Sequence, residues 1–268
     1  MKFVTWSALI ALSFATLFAQ TPVIAGGGIT NAASFDPGSG PAPGSLVLIF
    51  GSNLASGLMQ GDTVPLSSSI GGVSVTFNGV TAPLYFVSPS AIEAQVPWEV
   101  IPDPTVTGTA AVVVNGPGGS SAAQNVSINP FSPAIYRVQM FTGQAMVLNS
   151  DGTLSAATGS VPGYQSHPAA NGDTLVMYAN GLGQVTPNPT TGSNSSDTQR
   201  SNTTTPVVMI GGVQAQVTFS GLSPQFVGVN QLNVVVPQGV PAGNATPIQI
   251  QVGGITTAGD VTIATAGQ

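Results

Sequence analysis

The chain has 268 residues, of which 42% are hydrophobic and only 4% are charged, and its formal net charge is −6. Its three basic residues, Lys2, Arg137 and Arg200, cannot form the clustered positive surface that releases counterions from phosphates, which excludes a nucleic-acid partner and disfavours docking on anionic lipid. The chain has no cysteine, which excludes disulfides, thiolate metal sites and a lipoprotein anchor.

Residues 1–19 have the features of a secretory signal peptide. Lys2 supplies a positive charge, an apolar run follows from Phe3 to Phe18, and Ala19 is a small residue at the cleavage position. The run is shorter than the roughly 20 apolar residues that span a bilayer. We expect signal cleavage, no integral membrane span afterwards, and a secreted protein that is extracellular or at the cell surface, with the periplasm as a second destination. An uncleaved N-terminal anchor is the alternative.

The remainder of the sequence contains one pattern twice. Residues 43–54, PGSLVLIFGSNL, correspond to residues 171–182, NGDTLVMYANGL. Further along, residues 92–97, IEAQVP, correspond to residues 232–237, LNVVVP. A repeat of this size predicts two similar domains in tandem.

The first copy begins with a strand and a hairpin. Residues 46–50 form a continuous apolar run between glycines, which predicts a strand that is buried on both faces. Residues 73–77 alternate between apolar and polar, and Asn78-Gly79 is the preferred sequence of a type I′ turn. We therefore predict a hairpin that pairs residues 73–77 with residues 82–87.

Further strands complete the first copy. Residues 92–96 alternate, which places Glu93 and Gln95 on the outward face, and Pro97 ends the strand because it has no N–H to donate. Residues 110–114 and 123–128 follow as two more strands.

Short strands separated by turns, in a chain with 34 glycines and 22 prolines, predict β-sandwiches. The predicted fold class is all-β, with two tandem Ig-like β-sandwich domains after the signal peptide. Repeat 1 covers residues 20–132 and repeat 2 covers residues 133–268. The second copy differs by a polar, low-complexity stretch at residues 183–206, which we expect to be mobile.

Short motifs in a fixed order carry a resemblance to a known family; they are NAAS at 31–34, PGSLV at 43–47, IGGV at 70–73, APL at 82–84, AQVP at 94–97, NGLG at 180–183 and NQLN at 230–233. In this order they resemble the uncharacterised C-terminal domain family of acidobacterial (Solibacter-type) extracellular proteins, over nearly the whole mature chain. By pattern alone, each half also resembles IPT/TIG Ig-like domains. The acidobacterial family has no established activity, so the resemblance implies no catalytic residue. Copy one departs from the usual Gln-Ile-Asn pattern with Ala91-Ile92-Glu93.

The polar residues that could support catalysis or metal binding are scattered. Glu93 and Glu99 are the only close pair of carboxylates on predicted strands, and Pro97 lies between them, so solvated surface charge is the better interpretation. His167, the only histidine, lies in a predicted loop without a G-x-S-x-G motif. Residues 149–152 lack the acidic pattern of a calcium loop and fit an Asp-Gly turn. We predict no catalytic residue, no cofactor and no metal site.

Four aromatic residues, Trp98, Tyr85, Tyr136 and Phe226, are candidate ligand contacts. Their rings are suited to stacking on a sugar, although aromatic residues at strand ends also fill a sandwich core or a domain interface.

The sequence therefore favours a secreted or cell-surface structural, adhesive or binding module without enzyme activity. The alternative is a carbohydrate-binding module that acts through loops at one end of the sandwiches, and an enzyme of unknown type is the third hypothesis. Its expected partners are a second copy of itself, a cell-surface protein or a neutral polysaccharide, because few charges protect its surface from association.

Overall fold

The structure is a computed structural model that describes residues 20–140 and 142–267. The predicted signal peptide at residues 1–19 lies outside the described residues. The described residues form strands joined by turns and bends, with no helix among them. The all-β prediction is confirmed.

Residues 20–132, here called the N-terminal half, contain the first ten strands. They are β1 Val23–Asn31, β2 Leu46–Ser52, β3 Met59–Gln60, β4 Ser74–Phe77, β5 Val80–Ala82, β6 Leu84–Val87, β7 Ala91–Gln95, β8 Gly108–Gly116, β9 Gly119–Ser120 and β10 Gln124–Ile128.

These strands form two antiparallel sheets that enclose a core. One sheet has the order β1-β2-β7-β6-β3, and the other has the order β10-β8-β4-β5, with β9 paired to β8. Alternate residues of each strand point inward, so Val47 and Ile49 from the first sheet meet Val75, Phe77 and Val112 from the second, each 0% exposed. Burial of a side chain of this size stabilises the fold by about 1.5 to 3 kcal/mol.

The predicted hairpin is confirmed for its first part and wrong for its second. Strand β4 pairs with β5 across Asn78-Gly79, but β6 leaves this sheet and pairs with β7 and β3 in the other one. Pro83 separates β5 from β6 and cannot donate to a ladder. The chain therefore crosses from one sheet to the other at Pro83.

Residues 133–267, here called the C-terminal half, contain the other fourteen strands. They are β11 Ala134–Ile135, β12 Val147–Asn149, β13 Leu154–Ser155, β14 Ser166–His167, β15 Ala169–Ala170, β16 Thr174–Asn180, β17 Val185–Thr186, β18 Ser201–Asn202, β19 Val207–Ile210, β20 Val213–Leu222, β21 Asn230–Val235, β22 Gly243–Val252, β23 Ile255–Thr256 and β24 Thr262–Gly267.

One continuous path of hydrogen-bonded strands, β14-β13-β12-β16-β21-β20-β19-β22-β24-β15, runs through the C-terminal half. The long strand β20 pairs with β19 through its first three residues and with β21 through the rest, with an irregular register between Val217 and Phe219. Because such a bulge bends a strand, the sheet folds back on itself. Leu175 of β16 and Ile248 of β22, at distant points of the path, consequently lie in one core.

The two halves pair their strands in the same order. The β2–β7 pair corresponds to β16–β21, the β4–β5 and β4–β8 pairs to β19–β20 and β19–β22, and the β8–β10 pair to β22–β24. The corresponding hairpin turns also agree, with φ of 51° and 80° at Asn78-Gly79 and of 59° and 81° at Gly211-Gly212. Positive φ at both central positions is the geometry of a type I′ turn, which Asn and Gly adopt most readily.

A candidate ligand-binding cleft beside the junction

The two halves meet through the outer face of the β2-containing sheet. Leu46 and Leu48 of β2 are 2% and 9% exposed, and they lie in an apolar cluster between the halves. Its members are Ala32, Leu46, Leu48 and Val229, with the rings of Phe35, Phe50, Tyr85, Phe86, Tyr136 and Tyr178 packed against them. We call this cluster the junction cluster. The inward residues of β2 lie in the N-terminal core, so the prediction of a strand buried on both faces is confirmed.

Two asparagines form a buried hydrogen-bond network within the junction. Asn180 Nδ2 donates to the Leu46 carbonyl oxygen at 2.8 Å and to Asn31 Oδ1 at 2.9 Å, while Asn180 Oδ1 accepts from the Leu46 N–H at 2.9 Å. Asn31 Nδ2 in turn donates to the Ser132 carbonyl oxygen at 2.8 Å. Because unpaired buried polar groups are costly, this network fixes how the halves fit together.

The polar segment 183–206 contacts the N-terminal half and contains two short strands, a packing that the expectation of a mobile loop did not include. The Gly192 N–H donates to Gln95 Oε1 at 2.7 Å, and the Trp98 N–H donates to Thr191 Oγ1 at 3.1 Å. Within the segment, strands β17 and β18 pair with each other. The segment thus contributes one of these bonds through the Thr191 hydroxyl and the other through the Gly192 backbone.

Glu93 lies on the outward face of β7, as predicted, but it is not a solvated surface charge. It is paired in register with Leu48 and Phe86, and burial raises its pKa to about 7. Burial likewise raises the pKa of Tyr85 to about 12, and burial together with the Glu93 charge raises the pKa of Tyr136. The C-terminal half covers this face of the sheet, so a carboxyl group lies among aromatic rings.

An open cleft of ≈ 500 Å³ lies beside the junction cluster. Its walls come from strands β12 and β16, the turn after β12, residues around Tyr136 and Tyr164, and the loop between β20 and β21. The lining residues are Tyr136, Arg137, Met146, Leu148, Gly152, Tyr164, Tyr178, Gln225, Phe226 and Val229. Four of these ten residues are aromatic.

Phe226 is positioned by hydrogen bonds within the β20–β21 loop. Ser223 Oγ accepts from the backbone N–H groups of Gln225 at 3.2 Å and Phe226 at 3.4 Å, and the Ser223 N–H donates to the Val229 carbonyl oxygen at 2.9 Å. The Phe226 ring meets the Tyr178 ring edge-on, with centroids 5.9 Å apart and planes at 83°. Such a contact fixes the ring that faces the cleft.

The cleft carries one charged side chain, and that charge is already paired. Arg137 donates from Nη2 to Asp260 Oδ1 at 2.8 Å and from Nη1 to the Thr142 carbonyl oxygen at 2.9 Å. The ion pair lowers the pKa of Asp260. A ligand in the cleft therefore meets rings and neutral polar groups.

Two of the four predicted contact residues line the cleft, and the other two do not. Tyr136 and Phe226 line the cleft, and Phe226 is 46% exposed. Tyr85 lies in the junction cluster, where its hydroxyl donates to the Val227 carbonyl oxygen at 2.9 Å. Trp98 is 5% exposed and packs with Val185 and Leu222. Tyr85 and Trp98 therefore pack between the two halves, which is the domain-interface role that the sequence left open.

Sequence reasoning did not select Tyr164 or Tyr178. Tyr164 is 42% exposed in a turn rich in Gly and Pro, where no strand pattern draws attention to it. Tyr178 occupies an outward position on β16, between the buried Met177 and Ala179, and that alternation is the signal that could have found it.

His167 lies on the short strand β14, on the surface. Its Nε2 is 3.1 Å from Asp151 Oδ2, and its Nδ1 is 2.9 Å from the Pro168 carbonyl oxygen, which together with Asp151 raises the His167 pKa. Hydrogen bonds from Thr153 hold the pKa of Asp151 at about 2. In residues 20–140 and 142–267, no group of three or more His, Cys, Asp and Glu side chains is placed to hold a metal ion.

The IPT/TIG domain family matches residues 32–132, which lie within the N-terminal half. IPT/TIG domains are Ig-like modules, typically without enzyme activity, and the two-sheet architecture of this half agrees with that fold. No curated protein matches the chain. Within the described part of the chain, no helix has the length and apolar character needed to cross a membrane.

Several solved structures show distant likeness. The chain is 13% identical to the plexin A4 extracellular region, domains 1 to 10, with 98% of this chain and 17% of that one covered and a TM-score of 0.30. It is 14% identical to the gamma-CGTase from alkalophilic Bacillus clarkii, with 94% of this chain and 27% of that one covered and a TM-score of 0.28. It is 12% identical to the titin I9–I11 tandem, with 93% of this chain and 67% of that one covered and a TM-score of 0.22. The chain spans about a fifth of the length of the plexin structures.

Proposed function

We propose that this protein is a secreted or cell-surface binding module without enzyme activity, in which the aromatic cleft contacts the partner. The single observation that carries the proposal is the cleft itself, an open cavity of ≈ 500 Å³ with four aromatic rings. Cavities of about 300 to 1,000 Å³ with mainly apolar walls and a few polar groups are typical of ligand sites.

The proposal includes two tandem Ig-like domains, residues 20–132 and residues 133–268. Two features support this division. Each half has its own apolar core, and the two halves pair their strands in the same order. The junction cluster and the asparagine network join the two units, and the cluster supports the cleft because it includes the lining residues Tyr136, Tyr178 and Val229.

Binding to the cell envelope tests the proposal. The chain beginning at Gln20, immobilised on beads, should retain a component of a solubilised envelope from the source organism. Phe226→Ala and Tyr164→Ala should each reduce the retained amount, because they remove exposed rings of the cleft. Leu58→Ala is the matched control, since Leu58 is 69% exposed and is not a cleft residue. Equal retention by all four proteins would contradict the proposal.

Export is the second part of the proposal, and it rests on the composition of residues 1–19. Mass spectrometry of the protein recovered from the culture medium or the cell surface should give a mature N-terminus near Gln20. An intact Met1 in the membrane fraction would instead support an uncleaved anchor.

A further inference from the structure

We infer that the cleft binds a neutral glycan, whose sugar rings stack on Phe226 and Tyr164. This inference rests on the proposed function, because it names the ligand class of the same cleft. Pyranose rings combine an apolar face of C–H groups with a rim of hydroxyls, and such a ligand fits a site made of aromatic faces and neutral polar groups.

The exposure of the rings is the first argument. Phe226 is 46% exposed and Tyr164 is 42% exposed, and both line one cavity together with the partly buried Tyr136 and Tyr178. Grouped exposed aromatic side chains mark interaction sites more often than singly scattered ones. Met146 and Leu148 add apolar side chains to the lining of the same cavity.

The charge of the cleft is the second argument. Both terminal nitrogens of Arg137 already donate, one to Asp260 at 2.8 Å and one to the Thr142 carbonyl oxygen at 2.9 Å. Asp260 therefore neutralises the one positive charge of the cleft, and an anionic ligand would find no unpaired cation there. A neutral ligand needs no charged partner.

The third argument is that the site is built before the ligand arrives. Two backbone N–H groups donate to Ser223 Oγ within the loop, and Tyr85 Oη donates to the Val227 carbonyl oxygen at 2.9 Å. The exposed Gln225 amide makes no side-chain hydrogen bond with the rest of the described chain, so it is free to bond to a sugar hydroxyl. A preorganised loop reduces the entropy that binding would cost.

Affinity electrophoresis tests the inference. The chain beginning at Gln20 is run through native gels that contain a soluble neutral polysaccharide, namely a β-glucan, a xylan, a galactomannan or a starch, with anionic alginate as the charged comparison. We expect retardation by at least one neutral polysaccharide and none by alginate. The retardation should be the same at about 0.05 M and about 0.5 M salt, because screening weakens only charged contacts.

Variants locate the contact. Phe226→Ala and Tyr164→Ala should each weaken the retardation about tenfold, as expected for one aromatic contact, while Leu58→Ala should leave it unchanged. Circular dichroism verifies that each variant is folded. Retardation that survives both cleft substitutions would overturn the inference.

Two outcomes separate this inference from the proposed function. If no neutral polysaccharide retards the chain, but envelope retention remains sensitive to Phe226→Ala, the cleft binds a protein or another ligand; the glycan inference is overturned and the proposed function stands. If sedimentation shows a dimer that Phe226→Ala abolishes, the occupant is a second copy, which also overturns the glycan inference.

Discussion

The side-chain amide of Asn180 bonds to both backbone groups of Leu46, donating to its carbonyl oxygen at 2.8 Å and accepting from its N–H at 2.9 Å. These are the two bonds that a neighbouring strand would make. A residue at the end of β16 thereby supplies hydrogen-bond partners for the first backbone groups of β2, which lie 134 positions away in the sequence. The junction is therefore specified by directional bonds as well as by apolar contact.

Asn180→Ala should lower the free energy of unfolding by about 2 to 3 kcal/mol, because it leaves the buried Leu46 N–H without its partner and removes one of the two hydrogen bonds to the Leu46 carbonyl oxygen, which keeps the bond from the Ala32 N–H. Asn125→Ala, at an exposed position on β10, should change it by less than about 0.5 kcal/mol. Urea denaturation of both variants measures the difference. Equal effects would show that the amide network adds nothing to stability.

Gly44→Ala should be more destabilising than Gly79→Ala. Both glycines have positive φ, 77° and 80°, so both substitutions carry similar backbone strain. A Cβ at Gly44 would lie 2.2 Å from the Trp98 ring, whereas one at Gly79 meets nothing within 4 Å. We expect an additional cost of about 1 to 3 kcal/mol at Gly44.

In a chain that begins at Gln20, Trp98 is the only tryptophan, so its fluorescence reports the change directly. Gly44→Ala should shift the emission of the folded protein, and Gly79→Ala should not. Identical spectra and stabilities for the two variants would contradict the packing of Trp98 against Gly44.

The stability of the protein should fall as the pH rises from about 4.5 to about 7. Burial raises the pKa of Glu93 from 4.5 to about 7, so the folded state holds this proton more tightly than the unfolded state does. The stability that the Glu93 proton adds is fully present below pH 4.5 and is lost by about pH 7. The difference between the two pKa values corresponds to about 3 kcal/mol of folding free energy. The neighbouring Tyr85 and Tyr136 have raised pKa values and stay neutral throughout this range.

Glu93→Gln should flatten this part of the stability profile, because the amide does not titrate. Glu99→Gln, at the other glutamate of the chain and at an exposed position, is the matched substitution. Chemical denaturation at a series of pH values measures both slopes. A wild-type profile that is level or rises between pH 4.5 and 7 would show that Glu93 is solvated.

Fragments covering residues 20–132 and 133–267 should each unfold cooperatively, because each half encloses its own core. Each fragment also exposes its side of the junction, including Leu46 and Leu48 in the first and Val229 in the second. We therefore expect both melting temperatures to lie at least about 5 °C below that of the joined chain. If neither fragment folds while the whole chain does, the two halves share one core.

Strand patterns predicted much of the fold because they depend on neighbouring residues. The apolar run at 46–50 indicated a strand covered on both faces, and Asn78-Gly79 indicated a tight turn, and both are present. The burial of Glu93 and Gln95 could not be predicted in this way. Alternation shows which face a side chain occupies, but not that the other half of the chain covers that face.

Only part of the candidate site was predicted, because here too a local pattern does not show tertiary contacts. Composition drew attention to the aromatic residues, and two of the four selected, Tyr136 and Phe226, line the cleft. The other lining rings, Tyr164 and Tyr178, lie on the connection between β13 and β14 and on β16, which the strand order β14-β13-β12-β16 brings together. Proximity of that kind is set by tertiary packing, which no local pattern records.

The central claim is that the cleft is the contact surface. Photo-crosslinking tests this claim most directly, because it captures the partner whatever its chemical identity. The substitution Phe226→benzoylphenylalanine places a photoreactive ring in the cleft, and the same substitution at Leu58 places one on an exposed surface elsewhere. After irradiation with the native cell envelope, we predict a covalent adduct from position 226 and none from position 58. An adduct from position 58 alone, with envelope binding intact in both variants, would contradict the account.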